Sequence, residues 1–240
     1  MPVESNSNKF LIWDIDNTLG YREGGWAGAM SEVTRLIPTK LTATPENFRP
    51  FLKEGFPWHS PEIHHSDTLI SNQWWSKMSA FFSIVFQKVL NIDEFEAAKY
   101  ARWVRMTYLD TERWRITNDA IPALNELGKL GWQHYMLTNH VPELGLILRN
   151  LLRKNYFLEV ICSAEIGYEK PHPEAFKSVL KSIPEGATIW MIGDNYQADV
   201  IGAEKAGIPA ILVRTYNPSA KFFSKKLNGV IEILQDNAKV

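Results

Sequence analysis

The hydrophobic pattern of this chain changes along its length and predicts three kinds of structure. Residues 10–13 form an apolar run, which is typical of a strand buried on both faces of a parallel sheet. Between Gly25 and Asp110 the apolar residues recur at helical spacing, and no strand is predicted there. After Glu112, short apolar runs alternate with helical patterns of roughly 10–15 residues, the arrangement of βαβ units. The pattern therefore predicts an α/β fold with an inserted helical block.

The predicted elements of the second half follow each other closely. The strands are predicted at 132–137, 159–162, 188–192 and 210–213, and the helices at 119–130, 142–154, 173–182 and 197–206. The stretch from Gly20 to Gly25 is predicted as a turn. In the tail after Asn217, the residues from Val230 to Leu234 fit either a short edge strand or a helix.

The inserted block shows clear helix signals. A helix begins near Trp26 and is stopped by Pro38, and a second one carries an apolar stripe from Trp74 to Val89. Asp93 is placed as the N-cap of a third helix, with Glu96 as its capping-box partner. Most of residues 38–68, which are rich in Pro, Thr, Ser and His, is predicted as loop, with a short helix opening at Thr44.

Composition narrows the class of protein. Apolar residues make up 45% of the 240 residues and charged residues 22%, as in an ordinary globular protein. The net charge of −1 gives no basic footprint for nucleic acid or for an anionic membrane. Cys162 is the only cysteine, which excludes a disulfide framework. The segment Met1 to Asn8 lacks the features of a signal peptide, and no run of about 18 apolar residues is present. We expect a cytoplasmic protein, either a monomer or a homodimer.

Polar residues follow four of the predicted strands. Since the carboxyl ends of parallel strands share one edge of a sheet, these residues can converge although they are far apart in sequence. They are Asp14, Asp16 and Thr18 after the first strand, Thr138 and Asn139 after the second, Lys170 in the loop after the third, and Asp194 and Asp199 after the fourth. If the first strand continues past Trp13, its period of two places Asp14 and Asp16 on one side. Two adjacent carboxylates repel each other, and a divalent cation is the usual compensation.

The motifs D-I-D-N-T, L-T-N, K-P and G-D-N-Y-Q-A-D stand in this order, each after a predicted strand. In this the chain resembles the haloacid dehalogenase superfamily of hydrolases, in particular its subfamily I members with a helical, C1-type cap. The resemblance implies a Rossmann-like three-layer core with a parallel sheet, formed by residues 1–21 and 112–240. It also implies a helical cap domain at residues 22–111, which would enclose the site and favour small substrates.

The resemblance also implies roles for the motif residues. Asp14 would be the nucleophile, and Asp16 the acid that protonates the leaving oxygen and later activates water. Thr138, the amide of Asn139 and Lys170 would hold and neutralise the phosphoryl group. Mg²⁺ would be bound by Asp14, the backbone carbonyl of Asp16 and Asp194, with Asp199 in the outer shell of the metal. The first motif has Asn17 where the family most often has glycine, and asparagine tolerates unusual backbone angles almost as well.

These roles predict a Mg²⁺-dependent phosphatase that acts on a small phosphorylated metabolite. A metal-independent haloacid dehalogenase is disfavoured by Asp16, because a halide leaving group needs no proton. A phosphomutase acting on a sugar phosphate would share all the core residues, so the motifs do not separate it from a phosphatase. A binding module without catalytic activity is disfavoured by the intact acids and Lys170. His140 and His172 lie near the motifs, where either substrate contact or a structural role is expected.

Overall fold

A parallel sheet forms the centre of the molecule. The computed structural model describes residues 8–38 and 41–237, so that only Asn8 of the polar leader Met1 to Asn8 lies within it. In chain order the strands are β1 (Lys9–Trp13), β2 (Gly20–Arg22), β3 (Trp114–Ile116), β4 (Gln133–Thr138), β5 (Phe157–Cys162), β6 (Thr188–Gly193), β7 (Ala210–Val213) and β8 (Phe223–Ser224). Six of these strands form one sheet in the order β5-β4-β1-β6-β7-β8, and all neighbours in it are parallel. The predicted parallel sheet is confirmed.

Helices cover both faces of this sheet. In chain order the α-helices are α1 (Gly25–Leu36), α2 (Pro45–Phe48), α3 (Ser71–Leu90), α4 (Glu94–Tyr108), α5 (Ala120–Lys129), α6 (Leu144–Leu151), α7 (Ser163–Ile166), α8 (Pro173–Leu180), α9 (Gly202–Lys205) and α10 (Asn228–Asn237). A π-helical turn at Tyr196–Ile201 leads directly into α9. On the central strand β1, Leu11 and Trp13 belong to one buried cluster together with α5, α6 and α10. Phe10 and Ile12 belong to a second cluster with α8, which confirms the three-layer α/β architecture.

The first strand is anchored on both sides. Residues 10–13 are all buried, and β1 pairs with β4 on one side and with β6 on the other. The indole Nε1 of Trp13 donates a hydrogen bond to Nδ1 of His134 on β4 at 3.1 Å. The apolar run therefore forms the predicted central strand, and its carboxyl end is held in a fixed position next to β4 and β6.

The helices α1 to α4 lie between β2 and β3, and we call this segment, residues 23–113, the helical insertion. Its described part contains α-helices and 3₁₀ turns and no strand, as predicted. The side chain of Asp93 accepts a hydrogen bond from the backbone N–H of Glu96 at 2.8 Å, which confirms Asp93 as an N-cap. The proposed domain limits at residues 22 and 111 stay a prediction, and the antiparallel ribbon of β2 and β3 lies at both junctions.

Two short strands were not predicted, and one segment had been left open between a strand and a helix. The predicted turn from Gly20 to Gly25 is wrong at its start, because residues 20–22 form β2 and pair with β3. The segment from Val230 to Leu234, for which a strand or a helix was expected, lies in α10. The strand β8 was not predicted at all. The strands β2 and β8 are only three and two residues long, so local periodicity carries too little signal to identify them.

Candidate active site

Asp14 lies at the centre of a cluster of polar groups at the carboxyl end of the sheet. It follows the last residue of β1, so the site uses the loop after the strand and the argument from strand periodicity does not apply. Its side chain is 9% exposed, and its Oδ1 accepts hydrogen bonds from Thr138 Oγ1 and from Lys170 Nζ, both at 2.8 Å. These bonds fix the carboxylate and leave Oδ2 without a hydrogen-bond partner among the described residues.

The loop after Asp14 turns sharply enough to point Asp16 into the same site. The backbone N–H groups of Leu19 and Gly20 both donate to the carbonyl of Ile15. Asn17 has a φ of 56°, in the left-handed region that asparagine tolerates better than most residues. The backbone at Asn17 thus has unusual angles of the kind that asparagine was expected to tolerate at this position.

The ammonium group of Lys170 pairs with carboxylates that follow two different strands. Its side chain is 1% exposed, and Nζ lies 2.8 Å from Asp14 Oδ1 and 2.6 Å from Asp199 Oδ1. Although burial alone would lower the pKa of Lys170, the two carboxylates outweigh it and raise that pKa above its usual range. The lysine is therefore a fixed positive charge at neutral pH.

Asn139 holds the backbone of Lys170 with its side chain. Its Oδ1 accepts from the N–H of Lys170 at 2.7 Å, and its Nδ2 donates to the carbonyl of Lys170 at 2.9 Å. Because both side-chain groups are used in this way, only the backbone amide of Asn139 is left for the predicted contact with a phosphoryl group. The sequence indicated the residue but not its second task.

Asp194 and Asp199 come from the segment after β6. The Oδ2 of Asp199 accepts from the N–H of Asn195 at 3.0 Å, so both oxygens of Asp199 are engaged. A Cβ at residue 193 would lie 2.1 Å from Asp199 Oδ2, which explains why glycine precedes the acid. Carboxylate oxygens of Asp14, Asp194 and Asp199 lie within 4.8 Å of one another.

The close approach of several carboxyl groups shifts their pKa values. Desolvation, followed by the charges of Asp14 and Asp194, raises the pKa of Asp16 well above its usual range. Desolvation together with Asp14 and Asp199 raises the pKa of Asp194. Such shifts mean that the metal-free cluster is electrostatically unfavourable, and a bound cation would relieve this.

His140 lies next to Asp16. Its side chain is fully buried, and Nε2 lies 3.7 Å from Asp16 Oδ2, which is beyond hydrogen-bonding distance. Burial lowers the pKa of His140 to about 4, so the ring is neutral at pH 7. The ring packs near Trp114, with a centroid distance of 5.3 Å, and neither ring nitrogen has a hydrogen-bond partner among the described residues. Both expected roles of His140 therefore stay predictions. His172 accepts a hydrogen bond from the N–H of Glu174 and caps α8.

The cluster opens into a cavity of about 620 Å³. One side is formed by Asp14, Asp16, Lys170 and the segment around Asp194. Another part of the lining, which we call the insertion wall, is formed by Trp26, Trp58, His59 and Pro61 of the helical insertion. The sequence did not identify these four residues, because nothing in their spacing separates a wall residue from a core residue.

Comparison with known proteins places the chain in a family. The model of the haloacid dehalogenase-like hydrolases matches residues 9–207, and the chain therefore belongs to this family. It is 35% identical to a phosphoserine phosphatase from Thermus thermophilus over 112 residues, which are 44% of this chain and 43% of that protein. It is 33% identical to a glyceraldehyde 3-phosphate phosphatase from Methanothermobacter thermautotrophicus over 86 residues, 34% of this chain and 37% of the relative. The chain thus spans about two fifths of the length of these two relatives.

The fold is shared over nearly the whole chain. The magnesium-bound HAD hydrolase YfnB from Bacillus subtilis superimposes with a TM-score of 0.71 at 19% identity, covering 95% of this chain and 98% of that one. At this level of identity the likeness supports the fold alone. Among residues 8–38 and 41–237, no helix is both long and apolar enough to cross a bilayer.

Proposed function

We propose that this protein is a Mg²⁺-dependent phosphatase that hydrolyses a small phosphorylated metabolite through an aspartyl-phosphate. The observation that carries the proposal is the position of Asp14, whose carboxylate is held by Thr138 and Lys170 while Asp16 lies at the same cavity. The phosphatase names of the two partial relatives support the same reaction class.

In this mechanism the carboxylate of Asp14 attacks phosphorus, and the bond to the leaving oxygen breaks. Lys170, Thr138 and the backbone amide of Asn139 neutralise and orient the phosphoryl oxygens. Asp16 protonates the leaving oxygen, and the resulting carboxylate then takes a proton from the water that hydrolyses the aspartyl-phosphate. Desolvation, the largest cause of the raised pKa of Asp16, favours the protonated form at the start of this cycle.

The donor set fits Mg²⁺, which takes oxygen ligands and binds through one or two carboxylates plus phosphate oxygens. Asp14, the carbonyl of Asp16 and Asp194 would hold the ion. Asp199 would stay in the outer shell, because its two oxygens are engaged by Lys170 and by Asn195. When bound, the ion would neutralise charge on the phosphoryl group.

The test is turnover of p-nitrophenyl phosphate. We expect activity that is removed by EDTA and restored by Mg²⁺, and a loss of roughly 10³-fold or more in kcat for Asp14→Asn. Asp236→Asn, at an exposed position of α10, is the matched control and should keep full activity. Retained activity in Asp14→Asn would reject Asp14 as the nucleophile, and turnover that persists in EDTA would reject the metal.

A further inference from the structure

The insertion wall is built from indole rings that are braced from behind. Trp26 stacks on Tyr108 with ring centroids 3.6 Å apart and an interplanar angle of 10°, and Trp58 stacks on Phe56 at 4.6 Å and 6°. Both indoles are only partly buried, and both line the cavity. Because a ring already occupies one face of each indole, the wall is preorganised and loses little side-chain entropy when a ligand packs on it.

The wall offers an apolar surface without a formal charge of its own. The cavity-lining residues that the structure describes contain one cation with a permanent charge, Lys170, and that lysine is paired with Asp14 and Asp199. Arg22 lies close to Tyr108, yet its guanidinium is paired with Glu32 and bonded to backbone carbonyls. A second anionic group on a substrate would therefore meet indole rings and no free cation.

His59 contributes a polar group to this wall. Its Nδ1 accepts a hydrogen bond from the N–H of Phe56 at 3.3 Å, so in the neutral ring the proton is on Nε2. Partial desolvation lowers the pKa of His59 and outweighs the backbone and the carboxylate of Glu54, which favour the charged ring, so the ring is neutral at pH 7. The histidine thus adds a polar but uncharged group to the wall.

We propose that the insertion wall selects phosphate monoesters of uncharged, ring-bearing alcohols and rejects those that carry a carboxylate. The ring of the alcohol would pack on Trp58 and Trp26, because indoles bind both aromatic rings and the apolar faces of saturated rings. The cavity volume of about 620 Å³ has room for a phosphoryl group and one ring. This inference rests on the proposed phosphatase function and adds to it the substrate class.

The experiment compares kcat/KM for probes that differ in one feature. Benzyl phosphate and 4-carboxybenzyl phosphate share a ring and a primary leaving oxygen, and they differ in charge. We expect the neutral probe to be preferred by at least tenfold. Ethyl phosphate removes the ring and should fall at least tenfold below benzyl phosphate. Cyclohexylmethyl phosphate separates the two sources of a ring: a rate equal to that of benzyl phosphate indicates a saturated, sugar-like ring, and a lower rate indicates an aromatic base.

Two variants test whether the wall is responsible. Trp58→Leu should reduce the ratio of kcat/KM for benzyl phosphate to kcat/KM for ethyl phosphate to about one third of its wild-type value or less. This ratio does not depend on how much of the variant is folded. His59→Arg places a cation in the wall and should raise the rate for 4-carboxybenzyl relative to benzyl phosphate about tenfold. Trp103→Leu, at a tryptophan of α4 that is 46% exposed and outside this cavity, should leave both ratios unchanged.

The outcomes separate this inference from the proposed function. If no phosphate monoester is turned over, including p-nitrophenyl phosphate, the phosphatase proposal fails. If the esters are turned over but the carboxylated probe equals or exceeds the neutral one, or Trp58→Leu leaves the ratio unchanged, the phosphatase proposal stands and the substrate class is wrong.

Discussion

A buried histidine shows how completely single residues can be fixed by their neighbours. In the folded protein, His134 is 5% exposed, accepts from Trp13 Nε1 at Nδ1, and contacts the carbonyl of Leu124 at 3.1 Å through Nε2. The first bond requires a bare Nδ1, and the second requires a proton on Nε2, so one neutral tautomer satisfies both. Burial lowers the pKa of His134 to about 4.

The shift predicts a pH dependence of stability. In the unfolded chain the imidazole binds a proton near pH 6.5, whereas in the folded protein it does so near pH 4, so the unfolded state holds more protons between these values. The free energy of unfolding should therefore fall as the pH drops, by about 2 kcal/mol from His134 alone between pH 7 and pH 5.

Urea denaturation at pH 7 and pH 5 measures the effect. His134→Gln can keep one donor and one acceptor but cannot be protonated, so its loss over the same interval should be about 2 kcal/mol smaller than that of the wild type. Equal losses in the two proteins would contradict the assignment.

Residue-level chemistry was the part of the site most readable from sequence. Asp14, Asp16, Thr138, Lys170 and Asp194 each follow a predicted strand, and the structure brings these positions to one cavity or its immediate edge. The clamp of Asn139 on Lys170 was not predictable, because it joins residues 31 positions apart through a loop whose path depends on the whole sheet. The catalytic and metal-binding roles of the five motif residues stay predictions.

At the scale of elements, the long helices and buried strands were predicted well, because their periodicity extends over several turns or a full apolar run. The ribbon of β2 and β3 was missed, since its partners are separated by the entire helical insertion. The insertion wall was missed for a related reason: Trp58 lies in a 3₁₀ turn, Pro57–His59, where no periodic pattern indicates which way a side chain faces.

Glu143 connects the helical insertion to the core. Its Oε1 accepts from Ser71 Oγ and from Arg105 Nη2, both at 2.6 Å, and its Oε2 accepts from Trp75 Nε1 at 2.9 Å. Ser71 and Trp75 are on α3, Arg105 is on α4, and Glu143 precedes α6. One carboxylate thus holds two helices of the insertion against the segment that follows β4.

Glu143→Gln should therefore destabilise the protein by about 1–3 kcal/mol, because hydrogen bonds to a charged group contribute more to stability than those to a neutral group. The matched control is Glu126→Gln, which removes an exposed i,i+3 pair with Lys129 and should change stability by less than about 0.5 kcal/mol. Chemical denaturation of the three proteins measures both effects. A cost for Glu143→Gln no larger than that of the control would show that the connection contributes nothing.

At the scale of the whole molecule, the candidate site gathers like charges at one edge of the sheet. Asp14, Asp194 and Asp199 lie within 4.8 Å of one another around a single lysine. The raised pKa of Asp194, due first to desolvation and then to Asp14 and Asp199, means that its ionised form opposes folding. This opposition is absent below the ordinary pKa of an aspartate and grows as the pH rises above it.

Removing that charge should stabilise the metal-free protein. We expect Asp194→Asn to raise Tm in EDTA by a few degrees at pH 7, which corresponds to at least about 1 kcal/mol. Mg²⁺ should raise Tm of the wild type, because a ligand that binds only the folded state stabilises it, and should raise that of the variant much less. Thermal melts with EDTA and with Mg²⁺ measure all four values. A variant that melts lower in EDTA, or gains as much from Mg²⁺ as the wild type, would contradict this account.

The bare α-carbon of Gly193 has a consequence for how such sites are recognised. Any larger residue there would displace Asp199, which is a partner of Lys170. A position without a side chain is therefore as restricted in the residues it can accept as the positions of the acids beside it. If only side chains that can donate or accept a hydrogen bond or ionise were counted as part of the site, Gly193 would be left out. It is nevertheless one of the positions where a substitution is least compatible with the structure.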